Sequence, residues 1–175
     1  MRRRDLIAGI AGAAVLGGGA IGALGLSGDD QPDRTQEAVA LAGIEATGST
    51  GGTLKVPIPD RPTFLDIFAT TCRSCQRQMP ELRAAHDRLS DEVAFVSVTP
   101  ESESAVDDTT VAEWWDVYDG NWQIVRDETR QLVIHYSLAT PTGVLFDADG
   151  RVHWQDTGSK TESEIVEAVR SNLPE

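Results

Sequence analysis

The alternation of apolar and polar residues changes period several times along the chain, and each change predicts an element. From Leu6 to Leu26 no residue is charged, and Gly, Ala, Leu and Ile dominate. Ser27 to Gln36 is polar and reads as a solvated linker, with a short apolar transition after it. Leu41 to Pro57 reads as two short strands around Thr47-Gly-Ser-Thr-Gly-Gly52. Thr63 to Ala69 is an apolar run suited to a buried central strand, interrupted by Asp66. Met79, Leu82, Ala85, His86 and Leu89 recur at helical spacing, so a helix is predicted from Cys72 to about Leu89. Val93 to Val98 is a second buried strand, and Glu101 to Asp108 is acidic and reads as exposed. A helix over Val111–Tyr118, a short strand over Trp122–Val125 and a helix over Glu128–Tyr136 follow. Thr142–Asp147 and Val152–Gln155 flank Asp147-Ala-Asp-Gly150, the signature of a hairpin. The chain closes on an amphipathic helix with Ile165, Val166, Val169 and Leu173 on its apolar side. Strands alternating with helices, then a hairpin and a helix, predict an α/β three-layer domain over residues 41–175, without internal repeats.

The start of the chain stands apart from this domain. Met1-Arg-Arg-Arg-Asp5 is basic, and 21 uncharged residues follow it. Arg3-Arg4-Asp5-Leu6-Ile7 resembles a twin-arginine export signal. Residues 1–26 are therefore read as an export signal or a membrane anchor, since 21 apolar residues can also span a bilayer. No cysteine follows the apolar run, which argues against lipid modification there. Residues 27–40 become a polar linker between that segment and an extracytoplasmic domain.

Charge narrows the partners. The chain has 28 acidic and 15 basic residues, for a formal net charge of −13, and only Lys55 and Lys160 are lysines. Three arginines and one aspartate leave with the first 26 residues, which takes the remainder from −13 to −15. A polyphosphate partner needs a basic face, so nucleic-acid binding is not expected. A dispersed acidic surface poor in lysine fits a halophilic protein, because high salt screens its self-repulsion. An ordinary acidic protein is the plainer alternative.

Two cysteines, Cys72 and Cys75, are the chain's whole complement. A bridge closing so short a loop restricts the unfolded chain little, so stability is a poor reason for the spacing. Their place at a strand-to-helix junction offers a better one. A thiolate there is stabilised by unpaired backbone N–H groups and the positive end of the helix dipole. Arg73 adds charge beside it. Cys72 is then the nucleophile, and Cys75, one turn on, can resolve a mixed disulfide. Half of a zinc site looks the same, but a closed zinc site needs roughly four ligands. His86, His135 and His153 show no metal-like spacing, and each is read as a surface or satisfied core residue. No metal and no cofactor beyond the Cys72–Cys75 pair is expected.

Three further residues complete the pattern. Pro80 falls inside the predicted helix, where proline removes a hydrogen bond and kinks the axis. Asp66 precedes Cys72 by six residues on an apolar strand. A buried carboxylate is costly and its pKa rises, so it can accept and return the proton of Cys75. Alternatively it faces solvent or bonds only backbone. Pro141 cannot donate to a sheet ladder, and a cis Thr140–Pro141 bond would leave the Thr140 backbone free for a substrate strand. Without the cysteines, Pro141 would be an ordinary loop proline. Trp114, Trp115 and Trp122 are read as core more than as a binding surface.

Phe64 to Leu82, followed by Ala139 to Gly150, resembles the thioredoxin superfamily and is most similar to its extracytoplasmic TlpA/ResA-like branch. The resemblance covers roughly Leu41 to Leu173. It implies a thioredoxin-like three-layer fold, a central mixed sheet flanked by helices, with an insertion before the cis-proline Pro141. It implies Cys72 as attacking thiol, Cys75 as resolving thiol and Asp66 as the buried acid. Thr140, Thr71, Arg73 and Ser74 would contact substrate. Partners would be protein thiols and disulfides, an extracytoplasmic or membrane electron donor, and the membrane through the N-terminal segment. Apocytochromes before haem attachment are one substrate class that such relatives serve. Thr71 stands where the family usually has tryptophan, and Gln78 where some ResA-like proteins have an acid, so the surface and pH tuning of the site differ. A copper-handling module like the SCO proteins is the competing reading. Those usually have three residues between the cysteines and a histidine near the loop that here holds Thr140-Pro141. A redox-inert domain with permanently bridged cysteines is a third.

Overall fold

The computed structural model describes residues 35–136 and 139–173. The expected export segment and most of the linker lie outside the described residues. Seven strands form one mixed sheet, β1 (Val39–Gly43), β2 (Gly52–Val56), β3 (Thr63–Ile67), β4 (Ala94–Thr99), β5 (Gln123–Arg126), β6 (Thr142–Phe146) and β7 (Val152–Thr157), in the order β2-β1-β5-β4-β3-β6-β7. Three helices flank it, α1 (Arg73–Leu89), α2 (Asp108–Val117) and α3 (Glu162–Asn172). Strand β3 sits between parallel β4 and antiparallel β6, and every one of its residues is buried. That double cover explains why its sequence reads as an apolar run without alternation.

Period-2 geometry sorts the strand residues into two cores. Phe64 and Phe68, with Phe95 and Ile124, join Cys75, Met79, Leu82 and Leu89 of α1 and Ile165 and Val169 of α3. Leu65, Ile67, Val96, Val98 and Val144 form the other cluster with Leu132 and Val133. Trp115 of α2 is fully buried and Trp122 nearly so, whereas Trp114 packs at the core's edge, stacked on Phe68.

Local chemistry sets the ends of the elements. Helix α1 buries Cys75, Met79, Leu82, Ala85 and Leu89, close to the predicted spacing, and contains Pro80. Helix α3 begins with a capping box, Thr161 and Glu164 each bonding the other's backbone. In the β6–β7 turn, Asp147 Oδ1 accepts the Asp149 and Arg151 N–H groups. Gly150 has φ of 80°, and a Cβ there would meet the Gln36 carbonyl at 2.6 Å, so glycine is required.

Three expectations need correction. The linker ends earlier than residue 40, because β1 starts at Val39 and the Gln36 N–H donates to the Gly150 carbonyl at 2.8 Å. The helix expected over Glu128–Tyr136 is only a 3-10 turn, Val133–His135. Asp127 has taken the N–H groups of Gln131, Leu132 and Val133, and Arg130 sits at φ of 58°, so an α-helix cannot propagate. The stretch Glu101–Asp108 is mostly exposed, but Glu101 turns inward. A second cis bond, Val56–Pro57, joins Thr140–Pro141 and was not anticipated.

Candidate active site

Cys72 and Cys75 are joined as a disulfide at the start of α1. Cys72 is the N-cap, one position ahead of the expected first turn, and its Sγ accepts the Cys75 N–H at 3.1 Å. A sulfur in this position replaces the usual capping oxygen and gains most when it carries charge. Cys72 is half-buried and Cys75 is 2% exposed, so the first cysteine is the more accessible and the second belongs to the core. The helix contributes no acidic residue to its first turn. Thr71 and Arg73 are exposed on either side of Cys72.

The cis Thr140–Pro141 bond lies against the disulfide. Cys72 Sγ is 3.6 Å from the Thr140 carbonyl oxygen. Ser74 Oγ sits between the two, 3.2 Å from Cys72 Sγ and 3.4 Å from the Thr140 oxygen, to which it can donate. Pro141 opens directly into β6, and the Gly158 N–H donates to its carbonyl at 2.9 Å. Thus Cys72, Cys75, Ser74, Thr140 and Pro141 are assembled at one place, from segments more than 60 residues apart.

Asp66 lies on β3 between Phe64 and Phe68, the two residues that pack in Cys75's core cluster. It is 4% exposed. Burial drives its pKa from the ordinary 3.8 up to about 7, against a smaller lowering by a Ser97 hydrogen bond. That bond is long, 3.3 Å from Ser97 Oγ to Asp66 Oδ2. The other strand neighbour is Gly143, where a Cβ would come within 2.9 Å of the Trp154 ring.

Glu101 was missed as a site residue. Its carboxylate accepts the Thr70 N–H and hydroxyl, both at 2.9 Å, and the Thr99 hydroxyl at 3.0 Å. Buried Arg126 holds the Glu101 carbonyl at 2.5 Å and binds Asp108 of α2 at 2.7 Å. Gln76 Nε2 completes the clasp on the Thr70 carbonyl at 3.2 Å. The turn before Cys72 is therefore held by the inserted segment. A usable signal was position: Glu101 follows β4 at the same carboxyl end of the parallel strands as the cysteines, where α/β sheets place ligands. Gln78 is buried and accepts the Lys160 N–H at 2.7 Å, tying α1 to the turn before α3.

His86, expected as a surface or satisfied core residue, is half-buried against the Phe95 and Trp122 rings, and among the described residues its Nδ1 has no hydrogen-bond partner, with Asp87 Oδ1 3.8 Å away. His153 Nε2 is 2.8 Å from Asp147 Oδ2, and His135 is exposed. Among the described residues no group of three or more His, Cys, Asp or Glu is arranged to hold a metal. No helix among them is long and apolar enough to cross a membrane.

A disulfide capping a helix, set against a cis-proline on a mixed sheet, defines the thioredoxin-like class of fold. Within it the chain belongs to the Redoxin family, whose model matches residues 27–169. It is similar to the thiol-disulfide oxidoreductase ResA of Bacillus thuringiensis subsp. konkukian, 22% identical over 112 residues. The match covers 63% of this chain and 63% of the ResA length. The crystal structure of StoA from Bacillus subtilis superposes with a TM-score of 0.64 at 22% identity, over 78% of this chain and 98% of StoA. A secreted disulfide oxidoreductase of Mycobacterium tuberculosis, described as homologous to DsbE of E. coli, gives 0.62 at 17% identity, over 76% and 95% of the two chains.

Proposed function

We propose that this chain carries out thiol–disulfide exchange on exported proteins, outside the membrane that its N-terminal segment reaches or crosses. The half-buried Cys72, its sulfur capped by the Cys75 N–H beside the cis Thr140–Pro141 bond, is the observation that carries this reading. In the reducing direction, the Cys72 thiolate attacks a substrate disulfide and expels one substrate thiolate. The Cys75 thiolate then attacks Cys72 Sγ and expels the second, so the substrate gains two electrons and the pair becomes a disulfide. Asp66 takes the Cys75 proton, having a pKa near 7 and facing the same core. Thr140 offers backbone to a substrate strand, with Thr71, Arg73 and Ser74 around the contact. Apocytochromes awaiting haem attachment are one substrate class, and a membrane or extracytoplasmic thiol donor restores the dithiol. The basic start, the apolar run over Leu6–Leu26 and the similarity to a secreted relative support export.

The test is the reduction potential of the Cys72–Cys75 pair in the full chain, held in detergent at high salt and equilibrated with thiol buffers. A reversible two-electron transition between about −120 and −270 mV is expected, with none in Cys72→Ser. A pair that stays bridged well below about −300 mV would be a structural disulfide and would end this reading. Stoichiometric copper binding by the reduced pair would instead favour a metal-handling role.

A further inference from the structure

Asp66 receives its hydrogen bond from a hydroxyl that is itself held from behind. Trp122 Nε1 lies 2.9 Å from Ser97 Oγ, and Ser97 Oγ lies 3.3 Å from Asp66 Oδ2. When Asp66 is ionised, their chemistry fixes the direction of both bonds. An indole nitrogen only donates, and a serine hydroxyl has one hydrogen to give. With Trp122 donating to its oxygen, Ser97 points its own hydrogen at the carboxylate. The strands enforce the alignment, because Ser97 is the β4 register partner of Asp66 and Trp122 immediately precedes β5. All three groups are buried, at 4% exposure or less.

We propose that Ser97 and Trp122 form a polarised relay that sets when Asp66 carries its proton, making them positioning residues for proton transfer at Cys75. This rests on the reading of Asp66 as the acceptor of the Cys75 proton. A hydrogen bond to the carboxylate favours its ionised form, so the relay opposes the effect of burial. Two bonds in series also strengthen one another. What else faces Asp66 leaves the relay in control. Asp66 lies between Phe64 and Phe68, whose core cluster holds Cys75 and Met79 of α1, and its β6 register partner is Gly143, which has no side chain. Among the described residues, burial and the Ser97 hydrogen bond account for its displacement. His86 touches the far side of the relay through the Trp122 ring, and burial lowers its pKa, which favours the neutral imidazole. Behind it stand Asp87 and Arg83, paired with each other. The arrangement leaves Asp66 able to exchange a proton near neutrality despite its depth in the core.

The full chain tests this with carbon-13 NMR titration of the Asp66 carboxyl in the reduced protein. A parallel pH profile follows resolution of a mixed disulfide between Cys72 and a small thiol. Ser97→Ala is expected to raise the Asp66 midpoint by about one pH unit, the scale of one hydrogen bond to an ionised group. The resolution profile should move by the same amount, and Ser97→Thr should restore both. Trp122→Phe keeps a ring in place and removes the donor, so a smaller shift in the same direction is expected. If Asp66→Asn flattens the profile while Ser97→Ala and Trp122→Phe leave both midpoints unchanged, the relay is wrong and the Asp66 role survives. If Asp66→Asn leaves the profile unchanged too, the proton-acceptor reading falls and takes the relay with it. Should Ser97→Ala fail to fold, the Trp122→Phe midpoint decides alone: a rise supports the relay, and an unmoved midpoint overturns it.

Discussion

Asp66 and Asp127 are two buried aspartates on opposite sides of a functional divide. Asp127 is completely buried just after β5, and its carboxylate accepts three backbone N–H groups, from Gln131, Leu132 and Val133, at 2.8–2.9 Å. Asp66 is buried to nearly the same degree in β3 but receives one long bond from Ser97. Depth is shared and hydrogen-bond supply is not. A carboxylate whose lone pairs are filled by backbone is a structural fastener, and it organises the turn over Val133–His135. A carboxylate left short of donors has its proton affinity raised toward neutrality, at a cost to the fold. Burial alone does not mark a functional acid; burial combined with scarce donors does.

The largest effect should come from breaking the saturated member. Asp127→Ala orphans three N–H groups, those of Leu132 and Val133 buried, and is expected to lose about 3–4 kcal/mol of stability in urea denaturation. The potential of the Cys72–Cys75 pair should not move. A loss no greater than that of an exposed aspartate would erase the contrast.

Asp66→Asn should act in the opposite sense. The folded-state pKa is raised from 3.8 to about 7, so between those values the folded chain holds a proton that the unfolded chain has released. Stability therefore falls as pH rises through that window and levels off above it. Asparagine has no such slope. The variant should gain about 3–4 kcal/mol over wild type at pH 8 and nearly nothing at pH 4, measured by urea denaturation at both. Its exchange rate should fall. Parallel pH curves for the two proteins would show that Asp66 is not held in a raised state.

Smaller changes sharpen the contrast at the reactive turn. Glu101→Gln keeps the shape of the clasp but can no longer accept every donor that Thr70 and Thr99 offer. A loss of about 1 kcal/mol and a several-fold slower attack by Cys72 are expected, read by denaturation and stopped-flow exchange. An unchanged attack rate would separate the clasp from the chemistry. The smallest effect belongs to Ser74→Ala, which removes the hydroxyl between Cys72 and the Thr140 carbonyl. The Cys72 thiol pKa should rise by roughly half a unit, followed by thiolate absorbance, because one donor to the thiolate is lost. No rise would confine that hydroxyl to the oxidised form.

Much of this architecture is legible in one chain because its signals are local. The apolar run over Thr63–Ala69, the helical spacing after Cys75, the Asp147–Gly150 turn and the place of Cys72 at a strand-to-helix junction each depend on neighbours in sequence. The order of cysteine pair, helix proline and Thr140-Pro141 carries the family resemblance, which implies Asp66 as a buried acid. Other features depend on groups that only folding brings together. The helix expected over Glu128–Tyr136 was lost to the Asp127 carboxylate, whose bonds outcompete a local preference too weak to resist them. Glu101 looked like one member of an acidic loop until it met Thr70, 31 residues away. Likewise, nothing in the spacing of Asp66, Ser97 and Trp122 announces a relay, because strand register aligns them and register is a long-range choice. Local periodicity and turn chemistry determine the elements and the reactive pair. The hydrogen-bond supply to each buried polar group, and so the proton affinity of Asp66, is decided only when distant strands pack.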